Sequence, residues 1–86
     1  MDYKAIWHVE ALEDIKQIDR VRQKAIIEKV KSYLLKDPLN IGKPLSGRFK
    51  GLYRLRFENY RIIYAVNKEE MKVLIGSVRH RKEAYK

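Results

Sequence analysis

Arginine is the residue type in this chain that could do chemistry. The stretch YRLRFENYRIIY, Tyr53 to Tyr64, carries Arg54, Arg56 and Arg61 in a run that otherwise reads like sheet, and Arg79 and Arg81 flank His80 further on. A guanidinium stays protonated at physiological pH and presents a planar fork of donors that fits two oxygens of a phosphate. Around these residues there is no cysteine, no paired carboxylate, no glycine-rich phosphate loop ahead of a helix and no metal-ligand spacing. If the chain is an enzyme, its catalysis rests on electrostatic stabilisation by arginine and on positioning. Those means suit cleavage of RNA by the substrate's own 2′-hydroxyl, which needs neither a metal nor a cofactor. The reaction does profit from a base, and arginine is a poor one.

The positive charge is clustered rather than scattered. Of a formal net charge of +9 over 86 residues, most arises in residues 43–61, with six Lys/Arg against one Asp/Glu, and in residues 79–86, with four against one. Clustering of this kind is the footprint of a polyanionic partner, and nucleic acid, an acidic protein and a membrane surface all fit it. A chain of this length makes one domain, residues 1–86, burying roughly 60–65% of its unfolded surface. The lack of cysteine suits a reducing interior. The start, MDYKAIWHVE, has no signal-peptide core and no apolar run is long enough to span a bilayer, so a soluble cytoplasmic protein is expected.

The elements that must hold the arginines can be read from periodicity. Tyr3 to His8 alternates as a short strand. Val9, Leu12, Ile15 and Ile18 recur at helical spacing, and Asp19 is the expected N-cap of a second helix with the stripe Val21, Ala25, Ile26, Val30, Tyr33 and Leu34. Asp37-Pro38 ends that helix, and the close join at Asp19-Arg20 makes the pair an αα-hairpin. Leu39 to Gly51 reads as loop. Three strand-like runs follow, Leu52 to Phe57, Tyr60 to Val66 and Met71 to Val78. The fold class is therefore α+β: an N-terminal strand, an α-hairpin, then an antiparallel three-stranded meander, packed as a two-layer α/β sandwich.

A tight turn at Glu58-Asn59 sets Phe57 opposite Tyr60, Arg56 opposite Arg61, Leu55 opposite Ile62 and Arg54 opposite Ile63. Tyr53, Leu55, Phe57, Tyr60, Ile62, Tyr64 and Val66 then share the face under the helices, and Arg54, Arg56 and Arg61 share the other, turned to solvent or to a ligand. Carried through the next loop, the register sets Met71 opposite Val66, Val73 opposite Tyr64 and Gly76 opposite Arg61. Gly76 would then floor the arginine face, admitting close approach, or else mark a bulge.

The segments PLSGRFKGLYRLRFENYRIIYAV and VLIGSVRHRKEAYK, behind a helical hairpin ending in Asp37-Pro38, resemble the RelE/ParE toxin superfamily, and the RelE branch in particular. The resemblance covers nearly the whole chain. It implies the toxin of a type II toxin–antitoxin pair, a metal-independent endoribonuclease that enters the ribosomal A site and cuts mRNA there. By position, Arg61 resembles the phosphate-stabilising arginine, Arg81 a second catalytic arginine acting on the leaving group, and Tyr85 the terminal tyrosine that orients the substrate base. Tyr85 lies two residues nearer to Arg81 than in the best-studied relative. Arg54 and Arg56 stand where that relative has basic residues including lysines, so either they act electrostatically or His80 substitutes as the base. Lys50, Arg48, Arg79, His80 and Lys82 are the expected RNA-binding residues around this catalytic set. A straight last strand would turn Arg81 toward the helices, so the chain must bend or leave the sheet after Val78 if Arg81 is to join Arg61.

The partners implied are a RelB-like acidic antitoxin, with a heterotetramer among the assemblies, and the ribosome with its mRNA. A different class of function is a ParE-like toxin that inhibits DNA gyrase by binding, without cutting RNA. A plain RNA-binding module fits less well, because stacking aromatics are not interleaved on the arginine face.

Overall fold

A computed structural model of the chain describes residues 2–80. Lys4–Trp7 forms strand β1, and His8 then caps helix α1, Val9–Lys16, its Nδ1 accepting the Glu10 N–H at 3.1 Å. The residues of α1 that turn inward are Ala11, Asp14 and Ile15, followed by Ile18 just beyond its end. The expected stripe is thus rotated: Val9 and Leu12 lie exposed. Small Ala11 lets the helix come close to the sheet, and Asp14 takes an inward position because its carboxylate accepts the Val78 N–H at 2.9 Å.

Helix α2, Arg20–Ser32, starts at Asp19 as expected, with the Asp19 carboxylate accepting the Arg22 N–H at 3.2 Å and meeting the Arg22 guanidinium at 2.9 Å. That side-chain bond, then the backbone one, holds the Asp19 carboxyl below the usual carboxylate range. Gln23 closes the hairpin: its Nε2 donates to the carbonyls of Ile15 and Ile18, each at 2.8 Å, tying α2 to the end of α1. Ile26, Val30 and Leu34 are buried, but two members of the expected stripe are exposed. Val21 is exposed. Tyr33 leaves helical geometry at φ −126°, so the following 3-10 turn, Leu34–Lys36, swings Leu34 and Leu35 inward and leaves Tyr33 outside, beneath the Lys29 ammonium at 4.1 Å.

Helix α2 ends at Ser32, ahead of the expected stop at Asp37-Pro38, and Pro38 instead begins another element. It is the first residue of a short helix α3, Pro38–Ile41, where its missing N–H costs nothing. The expected loop continues through a two-residue strand β2, Lys43–Pro44, and a 3-10 turn, Gly47–Phe49. Strands β3, Tyr53–Phe57, β4, Tyr60–Asn67, and β5, Lys72–His80, make the meander. The sheet has five strands in the order β1-β5-β4-β3-β2, because β1 adds parallel to β5 and β2 antiparallel to β3. This is the expected α+β arrangement, with the expected N-terminal strand at one edge and β2 added at the other. The core includes Ile15, Ile26, Val30, Leu34, Leu55, Ile62, Tyr64, Val73, Ile75 and Val78.

The β3/β4 register agrees with the expectation pair for pair: Phe57 with Tyr60, Arg56 with Arg61, Leu55 with Ile62 and Arg54 with Ile63. The β4/β5 register does not. Val66 pairs with Val73, Tyr64 with Ile75, Ile63 with Ser77 and Arg61 with Arg79, which corrects the pairings expected for Met71, Val73 and Gly76. Met71 belongs to the turn, at φ +57°, which displaces the register by two residues. A bulge at Gly76 then adds one more. Val73 and Ile75 point into the core before it and Val78 after it, so the bulge reverses which residues of β5 face the helices.

Candidate nucleic-acid interface

On the sheet face away from the core, register alone builds a row of charge. Arg56, Arg61 and Arg79 stand abreast on β3, β4 and β5. Neighbouring like charges of this kind cost a few tenths to about 1 kcal/mol per pair. Arg79 reaches this face because the bulge changes the parity of β5. Strand β5 runs on in the sheet through His80 rather than leaving it after Val78; Arg81 itself lies outside the described residues, as do Lys82 and Tyr85.

The segment after β2 turns this flat face into a groove of about 580 Å³. Arg54, Arg61, Ile63, Gly76, Ser77 and Arg79 line it from the strands, Leu45, Ser46, Arg48, Phe49 and Leu52 from the overhanging segment, and Glu10 from the first turn of α1. Backbone bonds hold that overhang in place: Leu45 N–H donates to the Leu52 carbonyl at 2.9 Å, Phe49 N–H to Ser46 at 3.2 Å and Lys50 N–H to Gly47 at 3.1 Å.

The groove therefore sorts the expected residues. It brings together Arg54, Arg61, Arg79 and Arg48. Arg56 shares the row with Arg61 but is exposed, and neither it nor Lys50 lines the groove. His80 lies across from Tyr60, whose ring it meets edge-on at 5.6 Å and 86°, and it too is outside the groove lining.

Two features give the groove its appetite for an anion. The buried Arg54 Nε has no hydrogen-bond partner among the described residues. A buried donor left so costs about 1–3 kcal/mol, which a phosphate oxygen would recover. Glu10 is the one carboxylate among the groove-lining residues, against four arginines. Asp14 sits just behind Arg79, its Oδ2 3.6 Å from the Arg79 Nε, and offsets part of the crowding.

Sequence reasoning missed Asp14 and Phe49. The spacing Ala11, Asp14, Ile15, Ile18 is itself a helical face with a carboxylate in it, and Phe49 is an aromatic between two cations in a glycine-flanked turn. Both signals were present, but each needed the neighbouring element to give it meaning.

The family model for the ParE toxin of type II toxin–antitoxin systems, parDE, matches residues 5–85. The chain belongs to this family. Among characterised relatives, this toxin is 29% identical over 86 residues to Toxin RelG of Mycobacterium tuberculosis, covering 100% of this chain and 99% of that protein. It is 30% identical over 76 residues to Toxin RelE of the same organism, covering 88% of this chain and 78% of that one. Among solved structures, it resembles the toxin–antitoxin complex RelBE2 of M. tuberculosis with TM-score 0.89 at 28% identity, covering 94% of this chain and 100% of that chain. The archaeal RelE–RelB complex of Pyrococcus horikoshii has the same fold, with TM-score 0.73 at 23% identity over 98% of this chain and 100% of that chain. The protein is thus a toxin of a type II toxin–antitoxin system in the RelE/ParE superfamily. None of its described helices is long and apolar enough to cross a membrane.

Proposed function

We propose that this toxin is a ribosome-dependent endoribonuclease that cuts mRNA in the A site through attack by the substrate's 2′-hydroxyl. The observation that carries the reading is the convergence of Arg54, Arg61 and Arg79, from three adjacent strands, on one groove. A scissile phosphate seated there meets guanidinium groups fixed by the sheet, positioned for charge that grows on its oxygens during the reaction. Arg61 is the central phosphate ligand in this proposal, with Arg54 and Arg79 beside it. Arg81 and Tyr85 keep the roles that the family resemblance implies for them, on the leaving group and on the base. Arg48 within the groove, together with Arg56, Lys50 and Lys82, draws in the RNA backbone.

The partners proposed are a RelB-like antitoxin, as in the RelBE complexes with which the fold compares, and the ribosome carrying mRNA. The site of action is the cytoplasm. A negatively charged antitoxin segment laid on the arginine face would inhibit by occupying the phosphate position.

A second reading is kept because the matching family model is that of ParE toxins. It has the toxin binding and inhibiting DNA gyrase without cleaving RNA. Primer extension on a translated mRNA separates the two. The endonuclease gives cuts at A-site codons in cells expressing the toxin, whereas a gyrase inhibitor gives none and induces DNA damage instead. Arg61→Ala and Arg81→Ala are each expected to relieve growth arrest while the thermal transition persists. Full toxicity in both variants would overturn the endonuclease reading.

A further inference from the structure

Every aromatic ring on the meander strands belongs to the core face, yet one aromatic lines the arginine groove from outside the sheet. Phe49 closes the 3-10 turn Gly47–Phe49 and is 45% exposed, although it lies only three residues before Leu52 and among the backbone bonds that hold the overhang. The presentation is fixed by the backbone. Gly47 at φ +65° and Gly51 at φ +98° bracket the turn in the left-handed region, which L side chains resist, and the Leu52 N–H donates back to the Phe49 carbonyl at 3.1 Å. The Arg48 guanidinium carbon lies 5.4 Å from the centroid of the ring. The ring thus shares one groove with Arg54, Arg61 and Arg79, alongside the apolar side chains of Leu45 and Leu52.

We propose that Phe49 is a base-stacking platform, on which one unpaired base of a single-stranded RNA lies while the groove arginines hold the adjoining phosphate. This rests on the reading of the groove as the RNA site. A polyanion as such needs no apolar ring in its path. A nucleotide does, because its phosphate and its π-face present opposite chemistries a short distance apart, and the groove offers a partner for each. Every base has such a face, so the contact fixes how the chain lies without selecting its sequence. It also supplies the stacking aromatic that the strands alone lack.

The test is a fluorescence titration of the full chain, at low salt, with a short single-stranded RNA carrying 2-aminopurine, and with a matched oligomer that is abasic throughout. Phe49→Ala is expected to weaken binding of the first by about 5- to 150-fold, to abolish its quenching, and to leave the abasic oligomer unaffected. Phe49→Tyr should restore binding and quenching, while Phe49→Leu, which keeps an apolar side chain without a π-face, should not. Parental affinity in Phe49→Ala, or rescue by Phe49→Leu, overturns the stacking role. Arg61→Ala tells the two levels apart. It should weaken both oligomers; if it weakens neither, or if the parent chain binds no RNA, the groove is not the RNA site and the platform falls with it. A thermal melt of each variant confirms that it is folded.

Discussion

Asp14 shows how much one side chain can settle. Its carboxylate accepts the Val78 N–H at 2.9 Å on a stretch of β5 beyond the reach of β1, whose pairing ends at Ile75, and it lies 3.6 Å from the Arg79 Nε. It therefore stands in for a missing neighbour strand and steadies an arginine of the groove. Asp14→Ala should lower stability by about 1–2 kcal/mol, the cost of leaving a largely buried N–H without a partner, whereas Asp14→Asn, which keeps an acceptor, should lose clearly less. Urea denaturation of the three proteins checks this. Little of that role was legible beforehand, since the carboxylate gains its meaning from β5. Arg54 and Arg56 teach the same point. Alternation put both on one face correctly, but only the overhanging turn decides that Arg54 lines the groove and Arg56 stands outside it.

Among the elements, α3 is tied to the sheet through the side chain of Tyr64. The buried Tyr64 hydroxyl donates to the Pro38 carbonyl at 2.7 Å, and the Tyr64 ring stacks on Tyr53 at 5.5 Å. A Cβ on Gly42 would run into the same hydroxyl. Gly42→Ala should therefore destabilise by about 1–3 kcal/mol, the usual cost of overpacking, and loosen the start of the segment that walls the groove. Burial pushes the Tyr64 hydroxyl from 10.0 up to about 12, a bond with the Gly42 backbone opposing. The folded state thus holds this proton more tightly than the unfolded chain. The stabilisation is fully present below pH 10 and is lost as pH rises toward about 12, at up to about 1.4 kcal/mol per pH unit. Tyr64→Phe should cost about 1 kcal/mol at neutral pH and flatten that alkaline slope, as denaturation midpoints from pH 8 to 11 would show.

Why one hairpin was readable and the next was not follows from the same elements. Between β3 and β4, period-two alternation on both sides of a two-residue turn leaves a single register that buries Leu55, Ile62 and Tyr64 together. Between β4 and β5, Met71 entered the turn and Gly76 dropped out of the pairing. A bulge changes the phase without any change in composition, so alternation counted from one end misplaces everything beyond it. Reading Gly76 as a bulge was one of the two alternatives open from the sequence, and it alone accounts for Val78 facing the core.

For the molecule as a whole, charge clustering was plain from composition and the layered α+β class from element order. The sheet edges were not. β2 is too short to carry a pattern, and nothing local in KAIW marks it as the parallel neighbour of the last strand. That pairing sets Lys4 beside Lys72 and Trp7 beside Ile75, joining the two ends of the described chain. A chain cut after Met71 should consequently show no cooperative thermal transition and cause no growth arrest; a sharp transition in the truncated chain would contradict this.

Joining first strand to last also puts the protein on a clock. During synthesis β1 emerges early and then waits for its partner, and at about 5–20 residues per second the delay runs to several seconds. Throughout that interval β1 has no strand to pair with, and Arg61 has no Arg79 beside it. The arginine groove is thus assembled only once β5 has joined β4 and β1, as a late event in the making of the chain.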